Sequence, residues 1–497
     1  MYYANLSRRP ALFSRDVFTI KLPRSESIRG KLSRRMFIDV SFWGDILGII
    51  LIGFAIEHVY LTLYLDEIQE LSFYPLCVLT VAVAVAIGLR RQGYHGDLLR
   101  AGPWCGYLSL FVIVAFAFGC ALFGLFAIKL SNSFSRVWFI SWLFTSYAFL
   151  LTSRLFWRRW FKWLMAAGHF RVNVAVIGSR AALPRTLTFL NRNSDNFPVN
   201  LVGVYGVDLR AFAASGGRAP WLKSQLSRLI RDCQTKHVSD VIVALSWQEW
   251  PSLGKLVKEL QLLPVNISVV PDDTGAPLTF RPAGELGDMR TLAVQRAPIS
   301  DWGVFLKRGE DFLIALIALI LFMPAMLLIA LAIKFDSKGP VFFRQRRHGF
   351  NHKIIEILKF RTMTVQEDGS HIQQATRNDP RVTRVGRFLR RTSLDELPQF
   401  FNVLAGEMSV VGPRPHAVAH NDYYSKLLNN YVCRHRVKPG ITGWAQINGF
   451  RGEVSNPAAM KERVRLDLEY VDNWTLSFDL RILLLTPFYG FFSRNAY

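Results

Sequence analysis

The sequence has few means of cross-linking itself. Five cysteines, Cys77, Cys105, Cys120, Cys233 and Cys433, are scattered over 497 residues, and no two form a C-x-x-C pair. Three lie in apolar runs, so they read as small buried hydrophobes rather than disulfides or metal ligands. Acidic residues are also scarce. There are 37 of them against 60 Lys and Arg, a formal net charge of +23, although only 20% of residues are charged. An apolar chain with that imbalance calls for an anionic partner: nucleic acid, anionic lipid or a phosphorylated small molecule. Zinc-finger spacing and an aromatic-basic RNA-binding signature are both missing, which argues against nucleic acid. A cleavable signal peptide is not expected either, because about forty mostly basic and polar residues precede the first apolar run.

What the chain has in quantity is hydrophobic residues, 51% of the total, with 38 Phe and 13 Trp. Four apolar stretches, 40–63, 72–89, 104–128 and 137–157, each approach the ~20 residues that span a bilayer. Their flanks alternate in charge. Nine Arg and Lys from Arg8 to Arg35 precede the first, and Asp66, Glu67 and Glu70 follow it. Arg90, Arg91 and Arg100 follow the second, Lys129 lies between the third and fourth, and Arg154, Arg158, Arg159 and Lys162 come at the end of the fourth. The positive-inside rule puts both ends of this bundle in the cytoplasm. A soluble bundle would need polar stripes at helical period, and these runs are apolar on all sides. The expectation is a basic N-terminus over 1–37 and a four-helix transmembrane domain over 38–160.

Residues 170–275 change character. Val172–Gly178 and Val238–Leu245 read as buried parallel strands, Asn266–Val270 as another, and Trp221–Lys236 as a helix between them. That alternation indicates a Rossmann-like, doubly wound α/β domain. The turn Gly178-Ser179-Arg180-Ala181 lacks the second and third glycines of the dinucleotide fingerprint, so the domain reads as structural or regulatory rather than NAD-binding. Residues 276–306 read as a linker. A fifth apolar run, Phe312–Ile333, is basic on both flanks and carries Pro324 near its middle. Proline removes a backbone donor and crowds the preceding turn. The expectation is a Pro-broken re-entrant helix over 311–333 that enters and leaves on the cytoplasmic side; a tilted ordinary span is the alternative. A full span would carry everything after it away from cytoplasmic nucleotides. The tail, 476–492, suits either an interfacial amphipathic helix or a buried core helix.

The last part of the chain is richest in chemistry. In Thr392-Ser393-Leu394-Asp395-Glu396-Leu397-Pro398, Ser393 and Glu396 have capping-box spacing, and Pro398 also favours a helix's first turn. Either reading sets both acids near a helix N-terminus, as caps or as working carboxylates. Arg384, Arg387 and Arg391 share one helix face just before them, fit for phosphate oxygens or for anionic lipid heads. Two prolines in Gly412-Pro413-Arg414-Pro415 hold one arginine on a rigid loop, and Lys359-Phe360-Arg361-Thr362 is a further basic cluster. A diphosphate substrate calls for such clamps and usually a divalent cation. Adjacent acids on a helix point ~100° apart, so one can attack phosphorus while the other ligates Mg²⁺.

Lys359–Met363, TSLDELPQFFNVL from Thr392, MSVVGPRP from Met408 and VKPGITGWAQING from Val437 resemble the bacterial sugar transferases, the monotopic polyprenyl-phosphate phosphoglycosyl transferases. The resemblance is dense over roughly 305–497, and the domain order is similar to the family's long members. It implies an α-rich monotopic catalytic domain over 307–497, in a multidomain protein of the bacterial inner membrane with that domain in the cytoplasm. It further implies Asp395 as nucleophile toward the β-phosphorus of a UDP-sugar, Glu396 as the Mg²⁺ ligand, and Arg414 on phosphate with Lys359, Arg361 and Arg391 in support. Asp467 and Tyr470 match a D-x-x-Y motif, and Pro324 matches the break in the membrane helix. The stretch Asn448–Glu453, which includes Arg451 as a substrate-binding candidate, and the ending Asn495-Ala496-Tyr497 resemble the glucose-transferring, colanic-acid-type branch; galactose is the alternative sugar. Departures are Arg346-Arg347-His348-Gly349 where relatives often have R-x-G, and Phe450 where many have Trp or Tyr. The implied partners are UDP-sugar, undecaprenyl phosphate and membrane lipids, with a homodimer as the candidate assembly. The rival reading outside enzymology is a membrane-anchored scaffold that uses both acids only as caps.

Overall fold

The computed structural model describes residues 33–60, 74–95, 106–127, 135–170, 172–179, 181–192, 199–207, 220–236, 238–271, 284–286, 289–299, 301–364, 379–428, 430–450 and 456–492. The chain forms two compact units, one spanning Ile28–Arg171 and the other holding Val172–Tyr497.

The first unit contains four long helices: α1 (Arg34–Glu57), α2 (Tyr74–Arg91), α3 (Tyr107–Ala127) and α4 (Arg136–Ala166). Ser33 and Ser135 cap the first and last, each accepting an N–H three residues on. Ile49, Val78, Val81, Leu110, Trp138 and Trp142 form the centre of the bundle. Both tryptophans donate to carbonyls of α1, Trp138 to Gly53 at 3.1 Å and Trp142 to Ile49 at 3.0 Å. The outward faces are apolar too: Leu108, Phe116 and Phe123 are more than 70% exposed. A helix that buries one apolar face and exposes another needs hydrocarbon around it, as a membrane span does.

The second unit opens with an α/β domain. Strands β1 (Val172–Gly178), β2 (Val199–Gly206), β3 (Asp240–Leu245), β4 (Asn266–Pro271), β5 (Gly284–Leu286) and β6 (Met289–Gln295) form one sheet in the order β2-β1-β3-β4-β6-β5. The first four are parallel, and β6 closes the edge antiparallel to β4 and β5. Helices α5 (Leu183–Arg192), α6 (Pro220–Thr235) and α7 (Leu253–Leu260) make the crossovers. Strand β1 buries nearly every residue, as expected of a parallel strand covered on both faces. The expected linker over 276–306 is corrected here, since 284–295 supplies β5 and β6. The open edge of β4 explains this, because an unpaired row of N–H and C=O groups must be covered.

The rest of this unit is built around α8 (Trp302–Asp336), 35 residues long. The break expected at Pro324 is not an interruption, because helical geometry continues through it. Proline removes a single backbone bond here, and the turns on either side keep theirs. Hairpin β7 (Phe342–His348)–β8 (Ile354–Phe360) follows, then α9 (Arg384–Thr392), α10 (Gln399–Ala405), β9 (Ser409–Val411), α11 (Val418–Leu427), β10 (Gly440–Thr442), α12 (Trp444–Ile447), α13 (Pro457–Asp472) and α14 (Leu476–Phe492). One stripe of α8 packs on this body: Ala315 joins the core around Ile357 and Val403, while Leu319, Met326 and Ile333 join Phe360 and Leu389. Its other faces stay bare, with Ile320 at 69%, Leu328 at 68% and Phe335 at 90% exposure. Both ends are bonded to the same body. Arg308 donates to the carbonyls of Val403 and Leu404, each at 2.7 Å, and Asp336 accepts from Val385 N at 3.1 Å. The tip of the β7–β8 hairpin meets the α/β domain, where Asn351 Nδ2 donates to Cys233 O at 3.2 Å.

Candidate active site

Asp395 and Glu396 lie on a 3-10 turn, Leu394–Glu396, wedged between α9 and α10. Ser393 enters it in the left-handed region, at φ 57°, a conformation a serine adopts at some cost. The expected capping box is therefore corrected. The Ser393 side chain makes no cap bond, and Glu396 does not reach back to the Ser393 N–H. Long-range partners have taken the glutamate instead. Arg414 grips it with both guanidinium arms, Nη2 to Oε1 at 2.5 Å and Nη1 to Oε2 at 3.0 Å, while Lys359 Nζ donates to Oε1 at 2.8 Å. Burial alone would raise the pKa of Glu396, but Arg414 and Lys359 win and hold it well below the usual carboxylate range.

Asp395 is in the opposite state. Among the described residues nothing hydrogen-bonds to its carboxylate. Burial, with help from the charge on Glu396, outweighs Lys359 and pushes its pKa up to about 6. Two neighbouring acids thus have different duties: one is locked and ionised, the other is unengaged and more basic.

Each clamp has its own support. Lys359 is carried by β8, which Asn402 of α10 pins through a bond from Leu358 N at 3.0 Å and another to Glu356 O at 2.7 Å. Arg414 rides on the loop after β9, held from behind at three carbonyls. Tyr470 OH donates to Val411 O at 3.0 Å, Arg434 Nη2 to Arg414 O at 2.8 Å, and Arg347 to Pro415 O. Asp467 in turn accepts from Arg434 at 2.6 Å. The D-x-x-Y residues Asp467 and Tyr470 are thus buried braces of the arginine loop and do not face the acids themselves. Gly412 and Gly440 let this loop cross β10 at backbone contact: a Cβ on Gly440 would lie 2.1 Å from Gly412 N.

The other expected site residues lie elsewhere. Arg361 donates to Ser337 O, Ser337 Oγ and Lys338 O, so both its terminal nitrogens hold the end of α8. Arg391, Arg384 and Arg387 are exposed on α9, beside the 60%-exposed Phe388. Pro324 lies within α8, and Arg451 is outside the described residues.

Beside the acids opens a cleft with about 540 Å³ of empty space, walled by Ser393, Glu396, Phe400, Thr442, Gln446 and Tyr489 among others. As for a divalent cation, Glu396 fits as a ligand. A carboxylate offers about four lone-pair sites, and Lys359 and Arg414 take three, which leaves one on Oε2. Mg²⁺ characteristically needs only one or two carboxylates, with substrate oxygens completing its shell.

Residues 302–493 match the bacterial sugar transferase family, and 101–271 match a family described as a CoA-binding domain. The chain is 38% identical over 437 residues to UDP-glucose:undecaprenyl-phosphate glucose-1-phosphate transferase of Escherichia coli (strain K12), an alignment covering 87% of this chain and 92% of that protein. The chain belongs to the bacterial sugar transferase family. A Xanthomonas campestris pv. campestris protein of the same name is 39% identical over 80% of this chain and 84% of its own length. The UDP-N-acetylgalactosamine-undecaprenyl-phosphate N-acetylgalactosaminephosphotransferase of Aeromonas hydrophila is 42% identical over 37% of this chain and 43% of its own length. In this bacterial sugar transferase, Arg434, Asn402 and Gln446 were not singled out from sequence. Asn402 and Gln446 fall inside the quoted motifs, and Arg434 lies in the basic stretch Arg434-His435-Arg436, which gives no sign of its partner.

Proposed function

We propose that this protein transfers glucose-1-phosphate from UDP-glucose to undecaprenyl phosphate, releases UMP, and so starts exopolysaccharide synthesis. The observation that carries this reading is the identity to the E. coli glucose-1-phosphate transferase over 92% of that protein, together with an acid pair in which only Asp395 is unengaged.

The chemistry follows from the asymmetry of the pair. An Asp395 oxygen attacks the β-phosphorus of UDP-glucose. The bond from that phosphorus to the bridging oxygen breaks, its electron pair leaves with UMP, and a glucose-phospho-aspartyl group remains. A phosphate oxygen of undecaprenyl phosphate then attacks the same phosphorus, and the Asp395 carboxylate leaves as undecaprenyl-diphospho-glucose forms. Arg414 and Lys359 set Glu396 in place and offer positive charge where negative charge builds on the transferring group. Mg²⁺, held by Glu396 and substrate oxygens, would neutralise part of the diphosphate charge.

The membrane arrangement is part of the same proposal: four spans in the inner membrane, and α8 dipping in from the cytoplasmic side without crossing. Its two anchored ends support this. The 29 residues from Arg308 to Asp336 would cover about 42 Å if straight. A crossing helix would put those ends on opposite sides of ~30 Å of hydrocarbon, yet both bind one body.

The test is UMP release with purified full-length protein across UDP-glucose, UDP-galactose and UDP-N-acetylgalactosamine, with and without EDTA. UDP-glucose is expected to react fastest, EDTA to stop release, and Asp395→Asn to abolish both UMP release and a radiolabelled protein adduct. Full turnover by Asp395→Asn would defeat the covalent route.

A further inference from the structure

The cleft beside the acids is unlike the clamp that faces Glu396. Among the described residues, Glu396 is the one ionisable side chain in its wall apart from the tyrosine hydroxyl; neither Lys359 nor Arg414 lines it. A wall without cations is a poor seat for phosphate, so the cleft suits an uncharged portion of a substrate. Its polar members are neutral: the hydroxyls of Ser393, Thr442, Thr486 and Tyr489 and the amide of Gln446. Thr442 and Thr486 already pair with each other at 2.8 Å.

Gln446 is the informative residue. It is 8% exposed, and its Nε2 donates to Ile441 O at 3.3 Å, which turns Oε1 away from that carbonyl. Among the described residues Oε1 is buried without a partner. An unmet buried acceptor is costly unless a ligand donor meets it. A hydroxyl on a ring provides such a donor, and an isoprenoid chain does not. Phe400 offers an apolar wall of the kind a ring's C–H face packs against.

We propose that this cleft seats the hexosyl group of the donor, and that Gln446 Oε1 is a specificity-determining acceptor for one of its hydroxyls. The assignment rests on the sugar-phosphate transfer proposed above. It places the sugar between the acids and α14, with the phosphates at the lysine–arginine side. A site built to bond a hydroxyl discriminates against an epimer that moves it, because its own buried group is then left unpaired.

The experiment compares wild type, Gln446→Leu and Tyr489→Phe as full-length protein. It reads kcat/KM for UDP-glucose and UDP-galactose, the inhibition constant of UMP, and the KM for undecaprenyl phosphate. In Gln446→Leu, the UDP-glucose to UDP-galactose preference should fall at least about tenfold, the size expected for one lost buried hydrogen bond. UMP inhibition and acceptor KM should stay within about twofold. Tyr489→Phe removes only a hydroxyl from the same wall, so it answers the question if the leucine variant is unstable; its preference should fall about threefold. An unchanged preference in both variants overturns the assignment. So does a parallel rise in the UMP constant, which would make this the base pocket, or a rise confined to the acceptor KM, which would make it a prenyl site. UMP release by the wild type in the same assay judges the transfer reading separately.

Discussion

Asp395 and Glu396 show how far two adjacent residues of one charge type can diverge. Their sequence neighbours do not separate them; Lys359 and Arg414, 37 and 18 positions from Glu396, do so. The consequence for pH can be measured. In the proposed route Asp395 must be ionised to attack, and its pKa is raised to about 6. Single-turnover formation of the protein adduct should therefore be flat above pH 7 and fall below pH 6, approaching tenfold per unit. A profile flat down to pH 4.5 would exclude Asp395 as the titrating nucleophile. The two acids act oppositely on stability. Glu396, depressed, stabilises the fold above its unfolded pKa and loses that contribution as pH falls through its folded value. Asp395, raised, makes the fold less stable as pH climbs from about 4 to about 6. Sequence alone located both acids, and the TSLDELP motif suggested a helix start. It could not show that Ser393 turns left-handed, because that conformation answers to packing between α9 and α10 rather than to local preference.

Among the elements, legibility followed burial. The strand Val172–Gly178 was readable to the residue because both its faces are covered, which demands an unbroken apolar run. Strands β5 and β6, at the antiparallel end of the sheet, were not, since Met289–Gln295 mixes Arg290 and Thr291 with apolar residues and looks like loop. The four helices of the first unit were visible for the opposite reason: their outward faces are apolar too, so no polar stripe interrupts the runs. Arg361 has a structural use that its local sequence does not announce: three acceptors at the end of α8 hold its two terminal nitrogens. The D-x-x-Y motif was recognisable, but its work lies in tertiary contacts. Asp467→Asn leaves Arg434 buried without a counter-charge, and breaking such a pair costs about 3–5 kcal/mol. The melting temperature of the purified variant should drop by several degrees and transfer should fall, because Arg434 also holds the Arg414 carbonyl. A variant with unchanged melting would show that the pair is not a brace.

At the scale of the whole molecule, five helices among the described residues are long and apolar enough to cross a bilayer, and the odd number matters. With α8 as a fifth span, residues on either side of it would face opposite compartments. Single cysteines at Trp302 and Lys338, introduced into a protein lacking its native cysteines, should both be labelled by an impermeant maleimide only after cells are opened. Labelling of Lys338→Cys from the periplasm would overturn the re-entrant arrangement.

The hairpin β7–β8 adds a mechanical link between the domains. Strand β8 starts beside the tip that carries Asn351 on the α/β domain and ends at the lysine on Glu396. One continuous strand therefore joins the residue beside the α/β domain to the lysine of the acid pair, and that lysine shares Glu396 with Arg414.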